Sequence, residues 1–246
     1  PPCEYAPHPA LRTKTLGAEN VVSAIARYGL PVETVIGIST DKACKPVNVM
    51  GMTKALQERI FIQGNLRAPR TRFVCVRYGN VLASRGSVVP LFLHLASQGK
   101  PLTVTDPSMT RFLLTLDQAV DTSLQALKAG RPGDVVVPCA DAGSIGDIAQ
   151  IMARHGGVEV RTIGIRPGEK KHEIMVSEEE VPRARRVDRW FHLRPMLSPL
   201  DEPAPGDEPT SLQGEYSSEH AVVPPEALEA TLQGAGLLPE RVGSGQ

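Results

Sequence analysis

Short apolar runs alternate with longer stretches of helical periodicity. This alternation limits the fold more than any other feature of the chain. Residues 32–38, 73–76, 102–105, 134–138 and 158–163 have the length and composition of strands. Between them, 9–28, 48–66, 88–97, 117–128 and 144–155 carry apolar residues at helical spacing. Gly29 is placed to end the first helix, and Asn48 to cap the second. Ser144, with Asp147 three residues on, is placed to cap the fifth. Strand after helix after strand predicts an α/β fold, a doubly wound parallel sheet flanked by helices. The run 32–38 is expected to be a buried strand. Residues 1–8, with Pro1, Pro2 and Pro7, are not expected to start a regular element, and 79–87 reads as a loop. The pattern weakens after Val181, and 194–246 reads as an irregular tail. Its acidic, Pro-rich stretch 199–209 is expected to be mobile, and one helix is expected at 224–234.

Composition excludes several classes. The 27 basic and 27 acidic residues balance, so the sequence carries no nucleic-acid footprint. No apolar run is long enough to span a bilayer, and no signal peptide opens the sequence. Cys3, Cys44, Cys75 and Cys139 match no zinc spacing and read as reduced thiols of a cytoplasmic protein. The histidines lie far apart and suggest no metal site. Residues 178–180 (three glutamates) and the basic cluster 183–189 read as solvated faces.

The chemistry gathers at the carboxyl end of the run 32–38, where an open α/β sheet binds ligands. Ser39-Thr40-Asp41-Lys42-Ala43 follows that run. The next helix carries Lys54 one turn past Met50 on the same face. Taken alone, a helical lysine is ordinarily a solvated surface residue, and Thr-Asp at a strand end is often a turn. Further along come Asn48-Val49-Met50-Gly51-Met52-Thr53-Lys54, a stretch from Arg77-Tyr78-Gly79-Asn80 to Val88-Val89-Pro90, Met109-Thr110-Arg111-Phe112, and Arg166-Pro167-Gly168-Glu169-Lys170. In this order, from about Glu4 to about Glu180, they resemble the extended short-chain dehydrogenase/reductases. Within these they are most similar to the inverting UDP-N-acetylglucosamine 4,6-dehydratases of polysaccharide and flagellin-sugar pathways.

The resemblance implies a Rossmann-like sheet, with NAD or NADP as cofactor and a UDP-sugar as substrate. It also implies a homo-oligomer. It places the cofactor domain with the catalytic residues in 1–87. The smaller C-terminal substrate-binding α/β region then takes most of 88–246, with strands in 134–163 able to return to the main sheet. It assigns Thr40, Asp41, Lys42, Met50 and Lys54 to catalysis. Ser39, Lys54 and Tyr78 would hold the cofactor; Asn80, Val88, Arg111, Arg166 and Glu169 would hold the substrate. Arg111 and Arg166 would pair the pyrophosphate, since guanidinium forks suit phosphate oxygens. Two departures stand out. The Gly-rich phosphate loop is absent, since Gly79, Gly86 and Gly133 lack its spacing; the sequence is expected to be the last two-thirds of a longer protein. The helix 9–28 carries Lys14 where the family has an Asn of the water relay.

The implied reaction oxidises C4, eliminates water across C5–C6 and returns hydride to C6. Lys42 suits the base at C5 and Asp41 the acid at O6. Met50 stands where the family usually has Tyr, and its thioether has no proton to exchange. The 4-hydroxyl proton then falls to Asp41, to Thr40 with water, or to a relay ending at Lys54. The rival readings are a UDP-sugar 4-epimerase, a 5,6-dehydratase, or a silent UDP-sugar-binding subunit. Lys42 beside Asp41 favours the dehydratase, because an epimerase needs no base at C5.

Overall fold

The computed structural model describes residues 2–84, 86–200, 210 and 212–239. The main elements in chain order are α1 (Pro2–Tyr5), α2 (Pro7–Ala10), a π-helical turn (Leu11–Leu16), α3 (Gly17–Tyr28), β1 (Thr34–Ile38), α4 (Val49–Arg67), β2 (Arg72–Val76), β3 (Asn80–Val81), α5 (Val88–Ser97), β4 (Leu102–Val104) and β5 (Thr110–Leu114). Then follow α6 (Leu116–Ala129), β6 (Val135–Pro138), β7 (Ala142–Ser144), α7 (Ile145–Gly156), β8 (Val160–Thr162), β9 (Ile174–Val176), β10 (Ala184–Val187), β11 (Trp190–Leu193) and α8 (Pro225–Gly234). Two compact units interleave along the chain. One takes 1–78, 118–139 and 174–216, the other 79–117, 140–173 and 217–246. A single cut near residue 87 does not describe this division.

The first unit is built on a sheet of order β1-β2-β6-β11-β10. β1, β2 and β6 are parallel, with Ile36 opposite Val74 and Val76 opposite Val136. Side chains alternate across the pleat of β2. Phe73 and Cys75 face α4, and the Phe61 ring of α4 stacks 6.2 Å from that of Phe73. A Cβ at Gly37 of β1 would sit 2.5 Å from the Phe61 ring and 3.0 Å from Cys75 Sγ, so glycine lets this helix lie close to the strand. Val74 and Val76 point the other way, into a cluster with Val136 and with Ala126 of α6. Helices therefore cover both faces, as the alternation predicts.

Four expectations need correction. β1 is half-buried and forms an edge of the sheet among the described residues, with Ile38 42% exposed. The sheet is mixed, because the β10–β11 hairpin joins β6 antiparallel. Its inward residues, Phe191 and Leu193, are too few to show among the neighbouring arginines. Residues 2–10 do form short helices, since Pro7 takes the first turn of α2, where proline loses no hydrogen bond. The helix expected over 9–28 contains the π-helical turn, and Gly29 ends it in the left-handed conformation at φ +58°.

The second unit packs α5, α7 and α8 around Phe92, Leu102, Met109, Ile148, Met152 and Leu228. β5 lies between β3, parallel to it, and β7, antiparallel. β3 falls within the stretch expected to be a loop. Of the strands in 134–163, β6 joins the main sheet while β8 pairs with β4 instead. The stretch expected to be mobile lies outside the described residues from 201 to 209.

Candidate active site

The chain leaves β1 extended and turns sharply. Ser39 N–H donates to the Val76 carbonyl at 2.7 Å, and Asp41 N–H to the Tyr78 carbonyl at 3.1 Å. Asp41–Ala43 is a single 3-10 turn. These bonds carry Asp41 into the interior, where it is wholly buried. Its Oδ1 accepts from Thr40 Oγ1 at 2.8 Å and from Lys42 Nζ at 2.9 Å. Its Oδ2 has no hydrogen-bond partner among the described residues. Thr40, Asp41 and Lys42 thus form one hydrogen-bonded group. A buried acceptor with no protein partner is free to meet water or a ligand.

Helix α4 backs this turn. Asn48 Oδ1 accepts from Gly51 N–H at 2.9 Å, the cap expected from sequence. A Cβ at Gly51 would run into the Lys42 carbonyl, so the helix touches the turn here by backbone alone. One turn on, Lys54 Nζ donates to the Ile38 carbonyl at 2.7 Å and to Gln57 Oε1 at 2.9 Å. Met50 and Lys54 are both half-buried. Burial, and next the charge of Lys14, hold the Lys54 ammonium below the ordinary lysine value. Tyr78 is half-buried against Val74 and Val76; burial raises its phenol above the ordinary value, against a hydrogen bond with Ser123.

Beneath the turn lies a cluster that sequence reasoning missed. Arg77 is 2% exposed. Its guanidinium meets Glu58 at 2.7 Å and Glu180 at 2.8 Å, and donates to the Met175 carbonyl at 2.8 Å. Ser39 Oγ donates to Glu58 Oε1 in the same cluster. Ser39, expected to hold a cofactor, therefore has its hydroxyl turned inward. Glu180, expected to be solvated, closes the ion pair from the segment after β9. A signal for Glu58 exists in hindsight: it stands one helical turn past Lys54.

The expected substrate residues all lie in the second unit. Asn80 on β3 pairs in register with Leu113 of β5, and Val88 opens α5 at the margin of the core. Arg166-Pro167-Gly168-Glu169 is a tight turn with Gly168 at φ +80° and Glu169 N–H donating to the Arg166 carbonyl at 3.2 Å. Arg166 is exposed on this turn. Arg111 is brought to the foot of this turn, and its guanidinium donates to the carbonyls of Lys170 at 3.0 Å and Lys171 at 3.1 Å. Its visible work is to tie that loop to β5. Among the described residues no cluster of His, Cys, Asp and Glu could hold a metal ion. No described helix is long and apolar enough to cross a membrane.

A sheet whose β1, β2 and β6 run parallel between helices on both faces, with an Asp-Lys pair at a strand end backed by a lysine-bearing helix, is a Rossmann-like α/β fold. Residues 1–195 match the family model described as polysaccharide biosynthesis protein, and the chain belongs to that family. It is 45% identical over 197 residues to the UDP-glucose 4-epimerase of Rickettsia typhi, covering 78% of this chain and 57% of that protein. The chain thus spans little more than half the length of the curated relatives it matches. Pen from Bacillus thuringiensis superposes with a TM-score of 0.87 at 30% identity, over 96% of this chain and 72% of Pen. A dTDP-glucose 4,6-dehydratase from Bacillus anthracis, solved in complex with NAD, shares the fold with a TM-score of 0.57 at 16% identity, over 64% of this chain and 57% of its own.

Proposed function

We propose that the protein is an NAD- or NADP-dependent enzyme acting on a UDP-sugar, and that it performs a 4,6-dehydration of UDP-N-acetylglucosamine with inversion at C5. The observation that carries this reading is the Asp41–Lys42 pair, 2.9 Å apart with Asp41 fully buried. Epimerisation and dehydration both begin with oxidation at C4. Only dehydration also needs a base for the C5 proton and an acid for the C6 hydroxyl.

Lys42 Nζ donates to Asp41 Oδ1, so one proton lies on the hydrogen bond between them. Moving that proton from Lys42 onto the Asp41 carboxyl gives a neutral amine and a carboxylic acid, with the same proton count. Exclusion of water favours that exchange, because a low-dielectric site penalises separated charge. Lys42 is then ready to take the C5 proton, and Asp41 to protonate the leaving hydroxyl. Asp41 Oδ2, which meets no protein group, is the oxygen that would carry the acid proton to the C6 oxygen as the C6–O bond breaks, leaving Asp41 a carboxylate and the hydroxyl as water. Thr40 holds the carboxyl in place through Oδ1.

A nicotinamide, when bound, supplies the hydride acceptor for C4 and the donor for C6. Lys54, half-buried at the strand end, and Tyr78 fit a role in holding it; Ser39 fits less well, its hydroxyl being turned to Glu58. Arg166, Glu169, Asn80, Val88 and Arg111 are assigned to the UDP-sugar. The 45% identity to UDP-glucose 4-epimerases supports a second reading, epimerisation at C4. Product analysis by proton NMR separates the two. The full-length protein given UDP-N-acetylglucosamine should yield a C6 methyl doublet and a ketone at C4. An unchanged C6 with a new C4 epimer would make the epimerase reading correct.

A further inference from the structure

We propose that Lys54 is the group that takes the proton from the substrate's 4-hydroxyl, and that Lys14, presented by the π-helical turn, equips it to do so. The inference rests on the functional reading above. C4 oxidation needs a proton acceptor at O4. Met50, one turn before Lys54, has a thioether in place of an ionisable group. Lys42 and Asp41 are already paired with one another.

The partners of Lys54 suit a neutral amine. A primary amine has two N–H donors and one lone pair. Two acceptors are in place, the Ile38 carbonyl at 2.7 Å and Gln57 Oε1 at 2.9 Å, and both are uncharged. The lone pair is the one valence left for a proton. Lys42 differs, since its partner is the Asp41 carboxylate.

The π-helical turn brings the second lysine. Runs of π-helix are rare and tend to occur at functional sites. Here Thr15 Oγ1 donates to the Thr53 carbonyl at 3.3 Å, which sets the turn against the residue preceding Lys54. Lys14, next to Thr15, is half-buried. Three groups bear on Lys54 by charge. Cys75 on β2 is a thiol that burial keeps protonated. Glu58 on α4 is already met by Arg77 and Ser39. Lys14 is the cation, and with burial it outweighs the other two, leaving Lys54 below its ordinary value.

The step balances as follows. The O4–H bond breaks and its proton passes to the Lys54 lone pair. The C4–H bond breaks, its hydride goes to the oxidised nicotinamide, and the C4 carbonyl forms. Over the cycle two protons leave, from O4 and C5. One departs in water and one returns to C5, so Lys54 ends as the free amine.

The test uses full-length protein with lysines labelled at Cε, and follows the Lys54 titration by NMR without substrate. Lys54→Gln assigns the signal. Lys14→Met should raise the midpoint of Lys54 by on the order of one pH unit, and Lys14→Arg should leave it near the wild-type value. The acidic limb of the pH–turnover profile should move up by the same amount in Lys14→Met only. A Lys54 midpoint unmoved by Lys14→Met overturns the inference, as does turnover that survives in Lys54→Met at the wild-type rate. A shifted midpoint in a protein that turns over no UDP-sugar would instead overturn the functional reading on which this one rests.

Discussion

Arg77 shows what a single residue can decide. Its charge is buried between Glu58 and Glu180, and the same cluster reaches Ser39 at the start of the Asp41–Lys42 turn. Removing the cation would leave two carboxylates uncompensated. Arg77→Met should therefore cost about 3–5 kcal/mol in urea unfolding. A midpoint within error of wild type would show that the cluster adds nothing. Glu180 supplies the pH dependence. Burial alone would raise its pKa, but the charge and hydrogen bonds of Arg77 outweigh this and hold it below 4.5. Its folded value is depressed, so its contribution is complete above 4.5 and is lost as the pH falls through the lower folded value. The stability gap between wild type and Glu180→Gln should be constant at neutral pH and shrink in acid. A gap that widens in acid would contradict the assignment. None of this was visible in the run of three glutamates, because composition cannot show which of three adjacent acids turns inward.

At the scale of the element, the start of α4 sets the geometry of the turn it backs. Asn48→Ala removes the cap to Gly51 and should cost about 1 kcal/mol. Gly51→Ala would press a methyl into the Lys42 carbonyl, so about 1–3 kcal/mol of stability should be lost through overpacking, with a fall in turnover from the displaced turn. Thermal unfolding of both variants checks the pair; an unaffected Gly51→Ala would mean the helix can retreat freely. Caps and helices were legible because their signals are local: Asn48, Ser144 with Asp147, and Gly29 each stand at the expected end. The π-helical turn was not: around it the chain buries Ala10, Thr15 and Ala18, too small or polar to mark a stripe, and leaves Leu11, Leu16 and Val21 exposed. β5 was hidden for another reason. Met109 to Phe112 drew attention as a motif, and Thr110 and Arg111 mask the alternation of Phe112 and Leu114.

For the whole molecule, the interleaving of the two units explains which parts of the site sequence order could reveal. Thr40, Asp41, Lys42, Met50 and Lys54 lie within fifteen residues, and their grouping follows from one strand and one helix. Arg111 and the 166–169 turn are far apart in sequence, and it takes the hydrogen bonds to Lys170 and Lys171 to show that they meet. If that turn receives the uridine diphosphate, Arg166→Ala should weaken UDP binding about tenfold or more by calorimetry. An unchanged affinity would remove Arg166 from the substrate site.

The central claim is that Lys42 and Asp41 carry out an elimination across C5 and C6. Full-length wild type and Lys42→Ala should be given UDP-N-acetylglucosamine in deuterated buffer and followed by proton NMR. Wild type should place deuterium at C5 of a 4-keto-6-deoxy product. Lys42→Ala should still oxidise C4 but exchange C5 more slowly by about 10²–10⁴-fold, the usual loss for a missing general base. A wild-type product with no deuterium at C5, or a Lys42→Ala protein that exchanges C5 at the wild-type rate, would contradict it.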